Sequence, residues 1–241
     1  MKLFVVGLGP GGEAEMTARA VKALEASEVV AGYKLYLELI PRLTAGKALI
    51  STGMRGEVER CRAAVEAAAS GKTVAVVSSG DAGVYGMAGL VLQLAEPYPE
   101  LEIEIVPGVT AACGASALLG APLTQDFATV SLSDLLTPWA VIEKRLRGAA
   151  EGDFVLCLYN PASRKRRDHL ARACAIVAAH RPPSTPCGIA RNIGREEESA
   201  QILTLAELAE AKVDMFTTVV IGNSCTQVIN GRLVTPRGYH I

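Results

Sequence analysis

Three glycine-containing turns place the strongest limits on how this chain folds. They occupy residues 7–11 (GLGPG), 80–83 (GDAG) and 106–112 (VPGVTAA). Each turn lies where a short apolar run gives way to a helical pattern, which is where open α/β sheets bind small molecules. The sequence offers neither a metal-ligand cluster nor a catalytic triad beside them. The turns therefore predict a site that holds a cofactor rather than one built around a nucleophile.

The order of apolar runs and helical patterns predicts the class of the first lobe. The run at residues 73–77 (TVAVV) is almost continuously apolar, as expected for a strand buried on both faces. The alternation of such runs with helical patterns predicts an α/β lobe with a mostly parallel sheet and helices on both faces. The candidate strands are residues 2–7, 28–31, 47–50, 73–78 and 102–106, and the candidate helices are residues 12–26, 34–40, 56–70, 84–96 and 110–119.

The pattern changes near residues 119–124 (LGAPLT), which predicts a domain boundary there. Residues 1–119 then form the N-terminal α/β lobe, and residues 120–241 form a C-terminal lobe. More strands and hairpin-like spacing in the second part predict a mixed α+β lobe. Its candidate strands are residues 128–132, 153–159, 187–191, 200–203, 217–221 and 233–234, and its candidate helices are residues 139–147 and 164–179.

Composition excludes several classes of function. The 241 residues carry a formal net charge of −1, so no overall field attracts nucleic acid or an anionic membrane. No apolar run approaches the roughly 20 residues that a membrane span requires. The cysteines form no C-x-x-C pair, which predicts buried or half-buried thiols in a reducing cytoplasm, and the isolated histidines show no metal-ligand spacing. We therefore expect a soluble cytoplasmic protein without a bound metal.

A dinucleotide fingerprint is also present. Gly7, Gly9 and Gly12 satisfy G-x-G-x-x-G directly after a candidate strand. A dinucleotide site also needs an acidic residue at the end of the second strand to hold the ribose, and nothing acidic follows residues 28–33 there. Pro10 removes one backbone N–H from the loop that would hold pyrophosphate. The fingerprint keeps a nicotinamide-dependent oxidoreductase as a distant alternative.

Two further motifs, residues 158–161 (LYNP) and 217–223 (TTVVIGN), follow the three turns along the chain. In this order the motifs resemble those of the tetrapyrrole methylases, two-lobed methyltransferases that use S-adenosylmethionine to modify the corrin ring during cobalamin synthesis. The resemblance implies the two-lobed tetrapyrrole methylase fold, with the cofactor and substrate sites between the lobes. It also implies S-adenosylmethionine as cofactor, S-adenosylhomocysteine as product, and a homodimer.

A narrower set of motifs resembles the C-17 methyltransferases, which also contract the ring. These motifs are residues 32–34 (GYK), 51–55 (STGMR), 131–139 (SLSDLLTPW) and 235–239 (TPRGY). The resemblance implies methylation of C-17 of cobalt-factor III, with ring contraction to cobalt-precorrin-4, in the anaerobic pathway. The first alternative is the precorrin-3B enzyme of the aerobic pathway, followed by methylation at another ring carbon. A non-catalytic tetrapyrrole carrier also stays open.

The resemblance implies functional residues of three kinds. Those implied to line the cofactor site are Pro10, Gly80, Asp81, Val84, Thr110, Ala111, Asn160, Ala190, Arg191, Thr217 and Thr218. Those implied to contact the tetrapyrrole are Tyr33, Lys34, Arg55, Ser131, Ser133 and Arg164. The candidates for moving protons during ring contraction are Asp81, Tyr33, Lys34 and Asp126. Plainer explanations are helix capping by Asp81 and Thr110, and ordinary strand filling by Thr217 and Thr218.

Two positions depart from the resemblance. Residues 124–127 read TQDF where Met-His-Asp-Phe is expected. Glutamine exchanges no proton, so an acid–base role of that histidine is absent or moved to another residue. Residues 160–163 read NPAS where Asn-Pro-Arg-Ser is expected, which removes one contact to a carboxylate. The basic run at residues 164–167 (RKRR) opens a predicted helix, either as a solvated face or as a binding site for substrate carboxylates.

Overall fold

A computed structural model describes residues 1–53, 56–163 and 166–240 of the chain. The chain divides into two compact units, Met1–Ala111 and Ala112–Ile241. The sequence predicts a boundary after Leu119, whereas the two units divide after Ala111. The helix Ala111–Leu119 therefore lies almost entirely in the second unit and not in the first. A contact within the second unit accounts for this, because the Tyr159 hydroxyl accepts a hydrogen bond from the Ala112 N–H at 2.8 Å.

The first unit contains a parallel sheet with helices on both faces, as predicted. Its strands are β1 (Lys2–Gly7), β2 (Val29–Tyr33), β3 (Ala48–Thr52), β4 (Thr73–Ser78) and β5 (Glu102–Val106). Its helices are α1 (Ala18–Ala26), α2 (Lys34–Leu37), α3 (Pro41–Thr44), α4 (Glu57–Ala69) and α5 (Ala88–Leu94). The strand order is β3-β2-β4-β1-β5, and every pair is parallel. Val65 and Val91 pack on one face, and Leu24 and Ile40 pack on the other.

The second unit contains a mixed sheet, which confirms the predicted α+β lobe. Its strands are β6 (Gly120–Ala121), β7 (Phe127–Ser131), β8 (Val155–Tyr159), β9 (Pro186–Arg191), β10 (Ser199–Thr204), β11 (Thr217–Ile221), β12 (Gln227–Ile229) and β13 (Arg232–Val234). Its helices are α6 (Ala111–Leu119), α7 (Trp139–Glu151), α8 (His169–Ala178) and α9 (Leu205–Ala209). The main sheet has the order β10-β9-β11-β8-β7, with β7 and β8 parallel and the other pairs antiparallel. A small sheet has the order β12-β13-β6.

Three predicted helices begin later than the sequence indicates. The pattern at residues 12–26 divides into a 3₁₀ helix at Glu13–Glu15 and α1, which Thr17 caps by accepting the Ala20 N–H at 3.1 Å. The helix predicted from residue 84 begins at Ala88, because side-chain hydrogen bonds hold the preceding residues in a turn. The helix predicted from residue 164 begins at His169, so Arg166 and Arg167 precede it; Arg164 and Lys165 lie outside the described residues.

The cysteines are buried less uniformly than expected. Cys61, Cys157, Cys174 and Cys187 are buried, whereas Cys113 and Cys225 are exposed. Burial raises the pKa of the thiols of Cys157, Cys174 and Cys187 to about 12, so they stay protonated at neutral pH. Cys113 departs from the prediction because its position on α6 faces outward, and Cys225 because it lies in the turn after β11.

Among the described residues, none of the helices has the length and apolar character needed to cross a membrane. The same part of the chain holds no group of three or more His, Cys, Asp or Glu side chains placed to bind a metal ion.

Candidate functional site

The first two glycine turns are joined directly at the carboxyl edge of the parallel sheet. They follow β1 and β4, which are neighbouring strands. The Gly9 N–H donates to the Gly80 carbonyl at 3.0 Å, and the Gly80 N–H donates to the Gly9 carbonyl at 2.7 Å. Gly9 and Gly80 have φ angles of +78° and +69°, which residues with a side chain rarely adopt. Glycine at these two positions is therefore explained by backbone geometry.

The third turn, which follows β5, packs against the other two. A Cβ atom on Gly7 would lie 2.7 Å from both the Gly108 nitrogen and the Gly80 oxygen. A Cβ atom on Gly108 would lie 2.6 Å from the Gly7 oxygen and would overlap the Gly80 oxygen. Backbone atoms of neighbouring turns have little room to move, so contact between the turns requires glycine at both positions.

Asp81 links the second turn to the third. One oxygen of its carboxylate accepts the N–H groups of Gly83 at 2.8 Å and Val84 at 3.1 Å. The other oxygen accepts the Gly108 N–H at 3.0 Å. Such bonds to a charged group are stronger than neutral ones. Because α5 begins only at Ala88, Asp81 caps this turn and not the helix that the sequence suggested.

The other cofactor candidates of the first unit lie near this junction. Pro10 is buried within the first turn. A Cβ atom on Gly80 would lie 3.8 Å from the Thr110 Cα and 3.7 Å from the Ala111 nitrogen. These are ordinary contact distances. The structure thus brings Gly80, Val84, Thr110 and Ala111 into one neighbourhood.

Tyr33 and Lys34 lie at the carboxyl end of β2, on the same edge of the parallel sheet as the turns. The Tyr33 ring meets the Tyr36 ring edge-on, with 5.4 Å between the ring centroids. The Lys34 side chain is exposed, and its Nζ lies 3.9 Å from a Glu38 oxygen. Arg55, the other candidate of this unit, lies outside the described residues.

Four cofactor candidates of the second unit face each other across two strands. In the antiparallel pair of β9 and β11, Arg191 is opposite Thr217, and Ala190 is opposite Thr218. Ala190, Thr217 and Thr218 are buried. The antiparallel register therefore brings together residues that lie far apart in the sequence.

Asp214, which the sequence analysis missed, ties these residues together. One of its oxygens accepts the Thr217 hydroxyl at 2.9 Å and the Phe216 N–H at 3.0 Å. The other accepts the Arg191 Nε–H at 2.9 Å. The sequence indicates only the contact between Asp214 and Thr217, because an Asp three residues before a Thr commonly forms a local side-chain turn. The contact with Arg191 depends on the fold.

Asn160 and Ser131 occupy the carboxyl ends of β8 and β7, which pair in parallel. Asn160 has a φ angle of +53°, and its amide donates to the Ser131 oxygen at 3.0 Å. The Ser133 N–H donates to the same oxygen at 3.3 Å. A hydroxyl that accepts two hydrogen bonds still has its own proton to donate. Ser131 is therefore equipped to donate to a ligand.

The second-unit candidates among the described residues share one edge of the mixed sheet, with one exception. The carboxyl ends of β7, β8 and β9 and the amino end of β11 form this edge, according to the strand register. Asp126 precedes β7 and so lies at the opposite edge from Ser131. Arg164 lies outside the described residues.

Gln125 has a structural explanation at the position where the resemblance led us to expect histidine. Its amide nitrogen donates to the Pro236 carbonyl at 2.6 Å, and its oxygen accepts from the Asn223 amide at 3.0 Å. The neighbouring Thr124 hydroxyl donates to the Thr235 carbonyl. These residues fix the segment after β13, and no proton transfer is needed for that role.

The third glycine of the dinucleotide fingerprint lacks the geometry of such a site. In dinucleotide-binding folds this glycine permits close packing of a helix on a strand. A Cβ atom on Gly12 would meet the Leu39 oxygen at 3.9 Å, an ordinary contact. The segment that follows Gly12 is the 3₁₀ helix Glu13–Glu15 and not a long helix. The structure around this glycine therefore does not support the nicotinamide alternative.

Comparison with known proteins identifies the relatives of the chain. The sequence family described as Tetrapyrrole (Corrin/Porphyrin) Methylases matches residues 2–209. The probable cobalt-factor III C(17)-methyltransferase of Salmonella typhimurium is 51% identical over 238 residues, which cover 98% of this chain and 99% of that protein. The crystal structure of the methyltransferase CobJ is similar, with a TM-score of 0.89, 38% identity, and coverage of 97% of this chain and 99% of that chain.

A more distant solved structure shares the fold. It is the uroporphyrin-III C-methyltransferase from Thermus thermophilus complexed with S-adenosyl homocysteine, with a TM-score of 0.71 and 24% identity. It covers 92% of this chain and 97% of that chain. The likeness supports the two-lobed arrangement of elements described above.

Proposed function

The chain belongs to the tetrapyrrole (corrin/porphyrin) methylases, and we propose that it is a methyltransferase of cobalamin biosynthesis that uses S-adenosylmethionine. It methylates C-17 of cobalt-factor III, with ring contraction to cobalt-precorrin-4. The observation that carries the proposal is the 51% identity to the Salmonella typhimurium protein, which covers 98% of this chain and 99% of that protein. The similarity to CobJ supports the same class of reaction.

The carboxyl edge of the first sheet fits the proposed cofactor. S-adenosylmethionine carries no phosphate, so its site needs close approach of the backbone rather than a set of N–H groups for an anion. Pro10 supplies no N–H at this edge, and Gly80 lacks a side chain that would cover its backbone. The residues that would hold the cofactor here are Pro10, Gly80, Asp81, Val84, Thr110 and Ala111. In the second unit they are Asn160, Ala190, Arg191, Thr217 and Thr218.

The proposed reaction is an in-line displacement. S-adenosylmethionine, when bound, supplies an activated methyl group: the bond from carbon to sulfur breaks, and sulfur keeps the electron pair. The conjugated tetrapyrrole makes its own ring carbon nucleophilic. The protein therefore contributes chiefly alignment and exclusion of water, and alignment is worth roughly 7–11 kcal/mol in favourable cases.

Ring contraction requires that protons move around the macrocycle, and we propose Tyr33 and Lys34 for this role. Tyr33 and Lys34 lie at the edge that carries the glycine turns, and Lys34 is exposed. We assign Asp81 a positioning role, because its two oxygens already accept three N–H groups. Asp126 is exposed but precedes the amino end of β7, at the edge of the mixed sheet opposite Ser131, so we do not propose it for proton transfer.

Contacts to the tetrapyrrole are proposed for both units. Tyr33 and Lys34 would contact it from the first unit, together with Arg55. Ser131 and Ser133 would contact it from the second unit, together with Arg164. The resemblance to the C-17 methyltransferases is what supports Arg55 and Arg164. On the same basis we propose a homodimer, and the composition and cysteine spacing support the proposal that it acts in the cytoplasm.

Anaerobic incubation with S-adenosylmethionine and cobalt-factor III, followed by mass spectrometry of the tetrapyrrole, tests this function. The expected result is a gain of one methyl group. A parallel incubation with precorrin-3B tests the aerobic alternative. If protein that binds S-adenosylhomocysteine methylates only precorrin-3B, the substrate assignment is wrong. If it neither binds S-adenosylhomocysteine nor methylates either substrate, the methyltransferase proposal is wrong.

Asp81→Asn is expected to weaken S-adenosylhomocysteine binding about tenfold to a hundredfold. The amide keeps one oxygen as an acceptor, but its nitrogen cannot accept the Gly108 N–H. Loss of a hydrogen bond to a charged group costs about 1.5–3 kcal/mol, which corresponds to this range. Isothermal titration calorimetry measures the affinity. The matched control is Glu66→Gln on the exposed face of α4, which should bind like the wild type. Unchanged affinity of Asp81→Asn would contradict the positioning role.

A further inference from the structure

The loop between β7 and α7 presents two leucines to solvent. Leu135 is 63% exposed and Leu136 is 98% exposed. Single exposed leucines are ordinary, but an adjacent pair forms an apolar surface that a bound partner would cover. We refer to residues 132–137 as the leucine loop.

Polar contacts of Ser133 and Asp134 hold the first half of the leucine loop. The Ser133 N–H donates to the Ser131 oxygen at 3.3 Å. One carboxylate oxygen of Asp134 lies 3.2 Å from His169 Nε2, and the other lies 4.0 Å from Arg166 Nε. His169 is buried at the start of α8. Asp134 therefore connects the loop to a fixed helix.

An edge-on aromatic contact fixes the chain just after the loop. Trp139, the first residue of α7, meets the His169 ring edge-on, with 4.7 Å between the ring centroids. The Arg172 guanidinium lies 4.0 Å from the centroid of the Trp139 ring, within the range of a cation–π contact. The loop is thus anchored to α8 through Asp134 and, just beyond its last residue, through Trp139, while its two leucines are exposed.

The contacts at Asp134 leave hydrogen-bonding capacity unused. Among the described residues, His169 Nε2 and Arg166 Nη1 are buried without a well-aligned hydrogen-bond partner. His169 Nε2 and the Asp134 oxygen are therefore close without an aligned hydrogen bond between them. These contacts hold the loop against α8.

We propose that Leu135 and Leu136 contact an apolar face of the tetrapyrrole, and that Asp134 positions them by holding the loop to His169 and Arg166. The inference rests on the proposed function. The occupant is the substrate because the loop continues directly from the carboxyl end of β7, where Ser131 has a hydroxyl proton to donate. A tetrapyrrole combines a broad apolar ring with polar groups at its rim, which matches two leucines beside a hydroxyl donor.

The double variant Leu135→Ser/Leu136→Ser tests the contact. We expect the KM for cobalt-factor III to rise about tenfold, because two apolar side chains no longer cover the ring. The kcat and the affinity for S-adenosylhomocysteine should change little, because the loop meets the substrate and not the cofactor. The matched control is Leu49→Ser, since Leu49 is 51% exposed on the edge strand β3. Its KM should equal that of the wild type.

Asp134→Ala tests the positioning role. We expect it to raise the KM severalfold when the leucines are present. In the Leu135→Ser/Leu136→Ser background it should add little, because a residue that acts through the leucines is not additive with their removal. A purely structural role of Asp134 would instead lower the Tm and add fully to the leucine effect, and that result would overturn the positioning role.

Two results would overturn the substrate contact. One is an unchanged KM in the leucine double variant with cofactor binding intact. The other is a change in sedimentation mass with an unchanged KM, because the leucines would then contact a second copy of the chain.

A binding titration of the wild type with cobalt-factor III separates these outcomes from failure of the proposed function. The visible absorbance of the tetrapyrrole reports its binding. A wild type that binds the tetrapyrrole without methylating it contradicts the function, and the loop is then tested by the Kd of its variants. A wild type that binds no tetrapyrrole overturns both.

Discussion

Gly108→Ala is expected to weaken S-adenosylhomocysteine binding by about a hundredfold or more and to lower the free energy of unfolding by about 3 kcal/mol. The new Cβ would overlap the Gly80 oxygen and would lie 2.6 Å from the Gly7 oxygen. Both contacts are to backbone atoms of the other two turns, which no side-chain rotation can relieve. Calorimetric titration measures the affinity, and denaturant unfolding measures the stability.

Gly89→Ala is the matched control for Gly108→Ala. Gly89 lies in α5, and a Cβ atom there would have nothing within 4 Å. Alanine favours a helix over glycine, so the control should bind like the wild type and gain up to about 1 kcal/mol of stability. If Gly108→Ala binds and unfolds like this control, contact between the three turns does not explain the glycines.

Arg181→Ala is expected to lower the free energy of unfolding by about 3 kcal/mol and the Tm by about 6–12 °C. Arg181 is 5% exposed, and its guanidinium donates to the carbonyls of Gly222 and Phe154. The variant leaves both carbonyls without this donor and opens a cavity. Burial lowers the pKa of Arg181 below its usual value, but the group stays charged at neutral pH. Thermal unfolding measures the effect.

A binding measurement on Arg181→Ala separates its effect on stability from an effect on the candidate cofactor site. Gly222 follows β11 and Phe154 precedes β8, so Arg181 acts at the edge of the mixed sheet opposite Asn160. Arg181→Ala should therefore bind S-adenosylhomocysteine normally at temperatures where it is folded. The control Arg147→Ala removes an exposed i,i+4 ion pair with Glu143 and should stay within about 0.5 kcal/mol of the wild type. Equal Tm values for the two variants would contradict a structural role for the Arg181 contacts.

The sequence predicts the first unit well because its strands are short apolar runs separated by helical patterns. The predicted strand at residues 73–78 matches β4 as observed. The helix α5 begins later than predicted because Asp81 accepts the N–H groups of Gly83 and Val84 in a turn. The Gly108 N–H, which also binds Asp81, comes from a different turn, and that contact could not be predicted from the sequence. The unit boundary differs for a similar reason, since Tyr159 caps the start of α6 from a strand further along the chain.

The sequence predicts the glycine turns of the candidate site, but it does not predict the side-chain contacts that hold the other candidate residues. Local composition indicates a turn at Gly9 and at Gly80, and both have positive φ angles. The pairing of Arg191 with Thr217 depends on strand register, and their link through Asp214 depends on the fold. The anchor of Asp134 to His169 likewise joins a loop to a helix that begins later than predicted.

Anaerobic incubation of the wild-type protein with cobalt-factor III and S-adenosylmethionine carrying a ¹³C label in its methyl group tests the proposed reaction most directly. NMR of the product locates the labelled carbon. We expect the label on C-17 of a contracted ring. A label on another ring carbon, or unlabelled cobalt-factor III recovered from protein that binds S-adenosylhomocysteine, would contradict the proposed reaction.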